Sequence, residues 1–129
     1  MNLWTFGYAK LGDSGGLARR LAPYGVERVV DIRYRRASWT PAWGGLTEAT
    51  VRAAGFDYAW LQGLGNVNYK GGPIQLANPE DVQLLAHLAD QQRTAIMCAC
   101  LDVEQCHRLT VADLLARSVP GLVVEHIGA

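Results

Sequence analysis

The sequence predicts an α/β fold: a single three-layer, Rossmann-like domain with a mostly parallel five-stranded sheet. Three observations carry this expectation. Short apolar runs of strand length alternate with helical patterns in the order β-α-β-α-β-α-β-α-β. Helix-stopping and helix-starting residues such as Gly25, Gly55 and Asn78-Pro79 fall between them. The 129 residues are 50% hydrophobic and 19% charged, with no repeat or linker, which suits one domain over 1–129 and excludes a disordered chain.

Residues 3–8 read as the first strand. Asp13-Ser14 can cap a helix through Leu17, Leu21 and Ala22, which Gly25 stops. Residues 29–33 form a buried strand, Val-Val-Asp-Ile-Arg. Thr47 is placed to cap a second helix with Val51 and Ala54 inward and Gly55 past its end. Residues 56–61, rich in aromatics, make a third strand. Asn78-Pro79-Glu80-Asp81 starts a helix: Asn caps, Pro suits the first turn, and two carboxylates meet the positive end of the dipole. A fourth strand over 94–98, a last helix over 106–117 and a fifth strand over 122–127 complete the chain. The glycine-rich stretch 62–78 has no periodicity and reads as a lid or binding loop.

Charge and cysteine content narrow the function. Twelve cations balance twelve anions, which excludes a strongly basic nucleic-acid coat. Only Lys10 and Lys70 are lysines; the arginine bias favours forked recognition of carboxylate or phosphate. No apolar run is long enough to cross a membrane and the N-terminus has no signal-peptide pattern. The three cysteines fall within residues 98–106 instead of spreading as a disulfide framework, so a reducing, cytoplasmic compartment is expected.

Ligands of open α/β sheets bind beyond the carboxyl ends of the strands, and the unusual residues of this chain gather there. Tyr8 follows the first strand, Asp31 and Arg33 end the second, Gly65 and Asn66 follow the third, and Cys98 leads towards Cys106, His107 and Arg108. Arg33 and Arg108 are expected to converge on an anion, supported by N–H groups at the start of the last helix. Asp31 would orient one of these arginines, or tie the sheet end together as a structural salt bridge. Cys106 is a candidate nucleophile, since a thiol at a helix N-terminus can have a lowered pKa, and His107 is a candidate acid or base. The plainer alternative makes Cys98 and Cys106 small buried hydrophobes.

A zinc set of Cys98, Cys100, Cys106 and His107 is chemically permitted. One residue separates the first pair and none the second, so neighbours are not expected to reach one ion together, and no metal or cofactor is assigned. Arg35, Arg36, Trp39 and Trp43 interleave cations with aromatics, which suits either base stacking or simple packing on the core. His87 reads as solvated and His126 as satisfied locally.

Phe6-Gly7-Tyr8, Val30-Asp31-Ile32-Arg33 with Ser38, Leu64-Gly65-Asn66, Cys98-Ala99 and Cys106-His107-Arg108 occur here in one order. Together they resemble the domain-of-unknown-function family 488 over nearly the whole chain. The resemblance implies a small α/β domain with a site at these motifs, and adds Ser38 to its ligand-facing residues. Two positions depart from the pattern: Cys100 stands where the family usually has Glu, and Arg36 where it tends to have Pro. Both changes make the rim more cationic. The expected function is binding of, or action on, a phosphate-bearing ligand such as a nucleotide. The alternatives are a nucleic-acid module built on the Arg35–Trp43 loop, and a structural or interaction protein.

Overall fold

The computed structural model describes residues 1–8, 14–35, 46–99 and 106–128. The apolar runs become β1 (Asn2–Gly7), β2 (Arg28–Asp31), β3 (Asp57–Trp60), β4 (Thr94–Cys98) and β5 (Val123–His126). Between them lie α1 (Ser14–Leu21), α2 (Glu48–Ala53), α3 (Val82–Gln91) and α4 (His107–Ser118). All strand pairs are parallel, in the order β3-β2-β4-β1-β5. Central β4 is buried along its whole length, so it carries no polar–apolar alternation.

The order explains the layers. The chain moves one way across the sheet from β1 to β2 to β3, then reverses through β4 to β5. Crossovers of one hand must then put the early helices on one face and the late helices on the other. The core divides accordingly. Leu17 and Leu21 of α1 and Val51 of α2 pack with Trp4, Phe6, Val29, Tyr58, Ala95 and Met97. Val82 and Leu85 of α3 and Val111, Ala112 and Leu115 of α4 pack with Leu3, Val30, Ile32, Ile96 and Cys98. Alternate residues of β1–β4 thus supply opposite cores, while β5 contributes only Val124, to the α3–α4 side.

Local signals hold at two of the expected boundaries. Thr47 Oγ1 accepts the Thr50 N–H at 3.2 Å and caps α2. Gly25 closes the turn after α1 at φ 66°, a left-handed conformation that favours glycine. The start of α3 differs from expectation. Residues Pro79–Asp81 form a 3₁₀ turn, and the Asn78 side chain donates to Asp81 Oδ1 at 3.2 Å instead of accepting a helix N–H. β2 also ends earlier than expected, at Asp31, although Ile32 N–H still reaches Met97 O at 3.1 Å.

The 62–78 stretch is internally structured. It contains a 3₁₀ turn at Gln62–Leu64 and an antiparallel bridge between Asn66 and Leu76. Leu64 and Leu76 anchor it in the core on the α3–α4 face. Among the described residues no helix is long and apolar enough to cross a membrane.

Candidate functional site

The strand order creates a switch point that the sequence could not locate. From β2 the chain continues to β3, away from β4; from β4 it continues the other way to β5. The carboxyl ends of these neighbouring strands therefore flank a divergence of the chain, where open α/β sheets place their ligands. Ile32 and Arg33 leave one side of it, Cys98 and Ala99 the other, and α4 begins above it.

Asp31 and Arg33 lie on the α1–α2 face and bind each other. Arg33 Nε donates to Asp31 Oδ1 at 2.9 Å and Nη2 to Oδ2 at 2.6 Å. Nη1 donates to Tyr8 Oη at 3.2 Å, and Nη2 also reaches Leu46 O at 3.0 Å. The Tyr58 hydroxyl donates to Asp31 Oδ2 at 2.7 Å. Asp31 is 0% exposed and Arg33 6%, so this is an internal polar node and not a surface clamp. Burial alone would lower the Arg33 pKa, but the hydrogen bonds and charge of Asp31 outweigh it and hold the guanidinium above its ordinary value. The paired orientation of Asp31 and Arg33 agrees with their i, i+2 spacing.

The second group lies on the opposite face. Cys98 ends β4, and Cys106 is the extended N-cap residue of α4, at φ −117° and ψ 142°. Their sulfurs come into bonding contact, with Cα atoms 7.7 Å apart. The end of β4 and the start of α4 thus meet at one edge of the sheet. Arg108, 1% exposed, donates through Nη1 to Cys98 Sγ at 3.5 Å and through Nε to Thr5 Oγ1 at 3.3 Å. Arg108 thus sits under α4 against the sheet, while Arg33 lies across the sheet from it. The hydrogen bonds described for Arg33 and for Arg108 have no partner in common: Asp31, Tyr8 and Leu46 for the first, Thr5 and Cys98 for the second.

His107 bridges the groups. Its Nε2 lies 2.6 Å from Ile32 O, at the end of β2. A carbonyl can only accept, so Nε2 carries the proton and Nδ1 keeps its lone pair. Nδ1 lies 3.9 Å from Cys106 Sγ. Burial, followed by the nearby Arg108 charge, pushes the His107 pKa below its ordinary value, against the opposing effects of the Ile32 carbonyl and Asp31. Donor atoms of Cys98, Cys106 and His107 all lie within 4.8 Å of one another. The backbone turns from extended at Cys106 to helical at His107, and this brings donor atoms of two adjacent residues near Cys98 Sγ.

Other expected residues have different surroundings. A Cβ on Gly65 would meet the backbone N and Cα of Tyr34, so this glycine permits close packing of two chain segments. Asn66 Oδ1 accepts the N–H groups of Asn68 and Gln75 at 3.0 and 3.1 Å and organises its own loop. Arg35 is exposed, 5.9 Å from the Tyr69 ring centre. Ser38, Arg36, Trp39, Trp43 and Cys100 lie outside the described residues. His87 is exposed beside Gln91. His126 is not satisfied locally: its Nδ1 meets Thr5 Oγ1 of β1 at 2.7 Å. Thr5 and Tyr58 were missed as partners. A polar residue within apolar β1 was a signal for Thr5, whereas Tyr58 became recognisable only from strand order.

The fold and this edge define a doubly wound α/β domain with a cysteine–histidine–arginine cluster at the carboxyl end of its sheet. The chain belongs to the DUF488 family, the domain of unknown function whose model matches residues 16–115. No curated protein and no solved structure matches it.

Proposed function

We propose that this domain binds a small phosphate-bearing ligand, such as a nucleotide, at the start of α4. The carrying observation is that α4 begins beside the strand divergence. Its cap residue Cys106 offers no side-chain cap hydrogen bond, and its first turn has no acidic residue. Such a helix end attracts anions through its N–H groups and dipole. Arg108 adds positive charge from beneath, with its guanidinium shielded from water. Arg33, engaged by Asp31, Tyr8 and Leu46, serves to rigidify the neighbouring rim. If ligand binding leads to chemistry, Cys106 is the nucleophile and His107 the adjacent acid or base; Asp31 holds Arg33 and its charge favours the protonated form of His107. A reducing, cytoplasmic setting accords with this use of thiols.

A second reading is supported by an exposed group on the 62–78 loop. Arg35 and Lys70 each lie 5.9 Å from the Tyr69 ring centre, and Tyr34 lies 6.2 Å from it. Cations around aromatics suit single-stranded nucleic acid. The test is a titration with inorganic phosphate, nucleotides and short oligonucleotides on Arg108→Met and Arg35→Ala, with circular dichroism verifying each fold. The Met side chain fills much of the buried volume without the charge. The anion reading expects Arg108→Met to lose about 1.5–3 kcal/mol of nucleotide binding. Loss at Arg35 should stay under about 1 kcal/mol. Equal losses, or a greater loss at Arg35 with salt-sensitive oligonucleotide binding, would favour the nucleic-acid surface.

A further inference from the structure

We propose that Cys98, Cys106 and His107 form a three-residue binding site for a borderline divalent cation such as zinc. The site shares Cys106 and His107 with the phosphate reading but does not require a phosphate ligand, and metal uptake would take both residues from the nucleophile and acid–base roles. Two sulfurs and one imidazole are a donor set that zinc accepts, with its fourth position filled by water or an added ligand.

Four observations support it. The donor atoms lie within 4.8 Å of one another. His107 Nε2–H donates to Ile32 O at 2.6 Å, leaving the Nδ1 lone pair beside Cys106 Sγ. A metal-binding histidine is commonly oriented by such a hydrogen bond from its other nitrogen to a carbonyl. Arg108 Nη1 donates to Cys98 Sγ at 3.5 Å and fixes that sulfur at this edge of the sheet. The Cys98 and Cys106 Cα atoms are 7.7 Å apart, beyond the roughly 4.4–6.8 Å usual for a disulfide. The sulfurs can separate around an ion while their two backbone anchors remain in place.

Binding replaces two S–H bonds with two sulfur–metal bonds and releases both thiol protons to solvent; neutral His107 contributes a lone pair without changing its proton count. The uptake step itself transfers no electrons; where Cys98 and Cys106 are joined through sulfur, a thiol reductant first supplies two electrons and two protons to give the two thiols. The three donors also join different elements, the end of β4 and the start of α4, so the ion would tie the last helix to the sheet.

The test uses the full chain, reduced, stripped with a chelator and freed of both reagents under anaerobic conditions. Cobalt(II) provides the spectroscopic probe and zinc the competitor. The expected result is one equivalent of cobalt with thiolate-to-cobalt charge-transfer bands, displaced by zinc. Cys106→Ser and His107→Asn should each weaken zinc binding by at least roughly 100-fold, more than loss of an outer hydrogen-bond partner commonly does. His87→Gln, at an exposed position on α3, should leave it unchanged. His107→Asn retains both thiols and provides a second readout if a cysteine variant fails to fold. Folded, reduced wild type without thiolate–cobalt bands would overturn the proposal. So would unchanged zinc affinity in folded His107→Asn, or a Cys98–Cys106 disulfide that persists through reduction and prevents metal uptake.

Discussion

At the residue scale, the chemistry of the carboxyl edge depends on whether a charge is shared or buried alone. Asp31 has two guanidinium contacts and one phenolic contact, which offset much of the cost of removing its charge from water. His107 has a different balance: its neutral form is favoured by burial and the Arg108 cation. His126 shifts downward for the same two reasons, burial first. For a histidine with a lowered folded pKa, the unfolded chain binds more protons over the interval below its ordinary value of 6.5. Stability should therefore be level in this respect above that value and fall as pH drops below it. Urea midpoints of metal-free protein between roughly pH 7 and 5 measure the slope. His107→Asn and His126→Asn should each flatten it, and the double variant should flatten it further. An unchanged slope in all three would assign acid sensitivity to other groups.

At the element scale, the connection after β3 is held by close backbone packing as well as by its turns. Gly65 N–H donates to Gln62 O at 2.8 Å, while the absent Cβ leaves room for Tyr34. Gly65 and Tyr34 belong to segments that follow neighbouring strands β3 and β2. Gly65→Ala should destabilise the domain by about 1–3 kcal/mol through overpacking. The comparison is Gly71→Ala, which has no neighbour within 4 Å but does have φ 146°, and therefore tests backbone strain separately from crowding. A shifted 62–78 loop in Gly65→Ala, seen as altered hydrogen exchange at Val67 and Ala77, would locate the effect. A loss no greater at Gly65 than at Gly71 would remove crowding as the explanation.

At the scale of the whole molecule, the sheet separates two apolar cores that share its strands but are covered by different helices. Leu17 is 0% exposed in one and Leu115 is 0% exposed in the other. Replacing either by alanine should cost about 2–5 kcal/mol through lost transfer energy and a residual cavity. The two clusters have no buried residue in common, so the losses should add within roughly 0.5 kcal/mol in the double variant. Denaturant unfolding of the four proteins measures this. A large coupling would mean that the sheet transmits packing changes from one face to the other.

Much of this organisation was legible in the sequence. Thr47, Gly25 and the apolar run of β4 act through nearby backbone groups and local periodicity, so they announce their elements wherever those elements sit. The motif residues Asp31, Arg33, Cys106, His107 and Arg108 likewise marked the carboxyl edge, because a βα connection emerges there. Their partners were decided only by tertiary structure. Strand order set β2 beside β4 and allowed His107 to reach Ile32; it also gave Arg33 and Arg108 different hydrogen-bond partners. The turn from extended Cys106 into helical His107 brings the donor atoms of these adjacent residues close to Cys98. Sequence spacing specifies distance along the chain, whereas the donor set at Cys98, Cys106 and His107 depends on distance through space, which the β4–α4 packing controls.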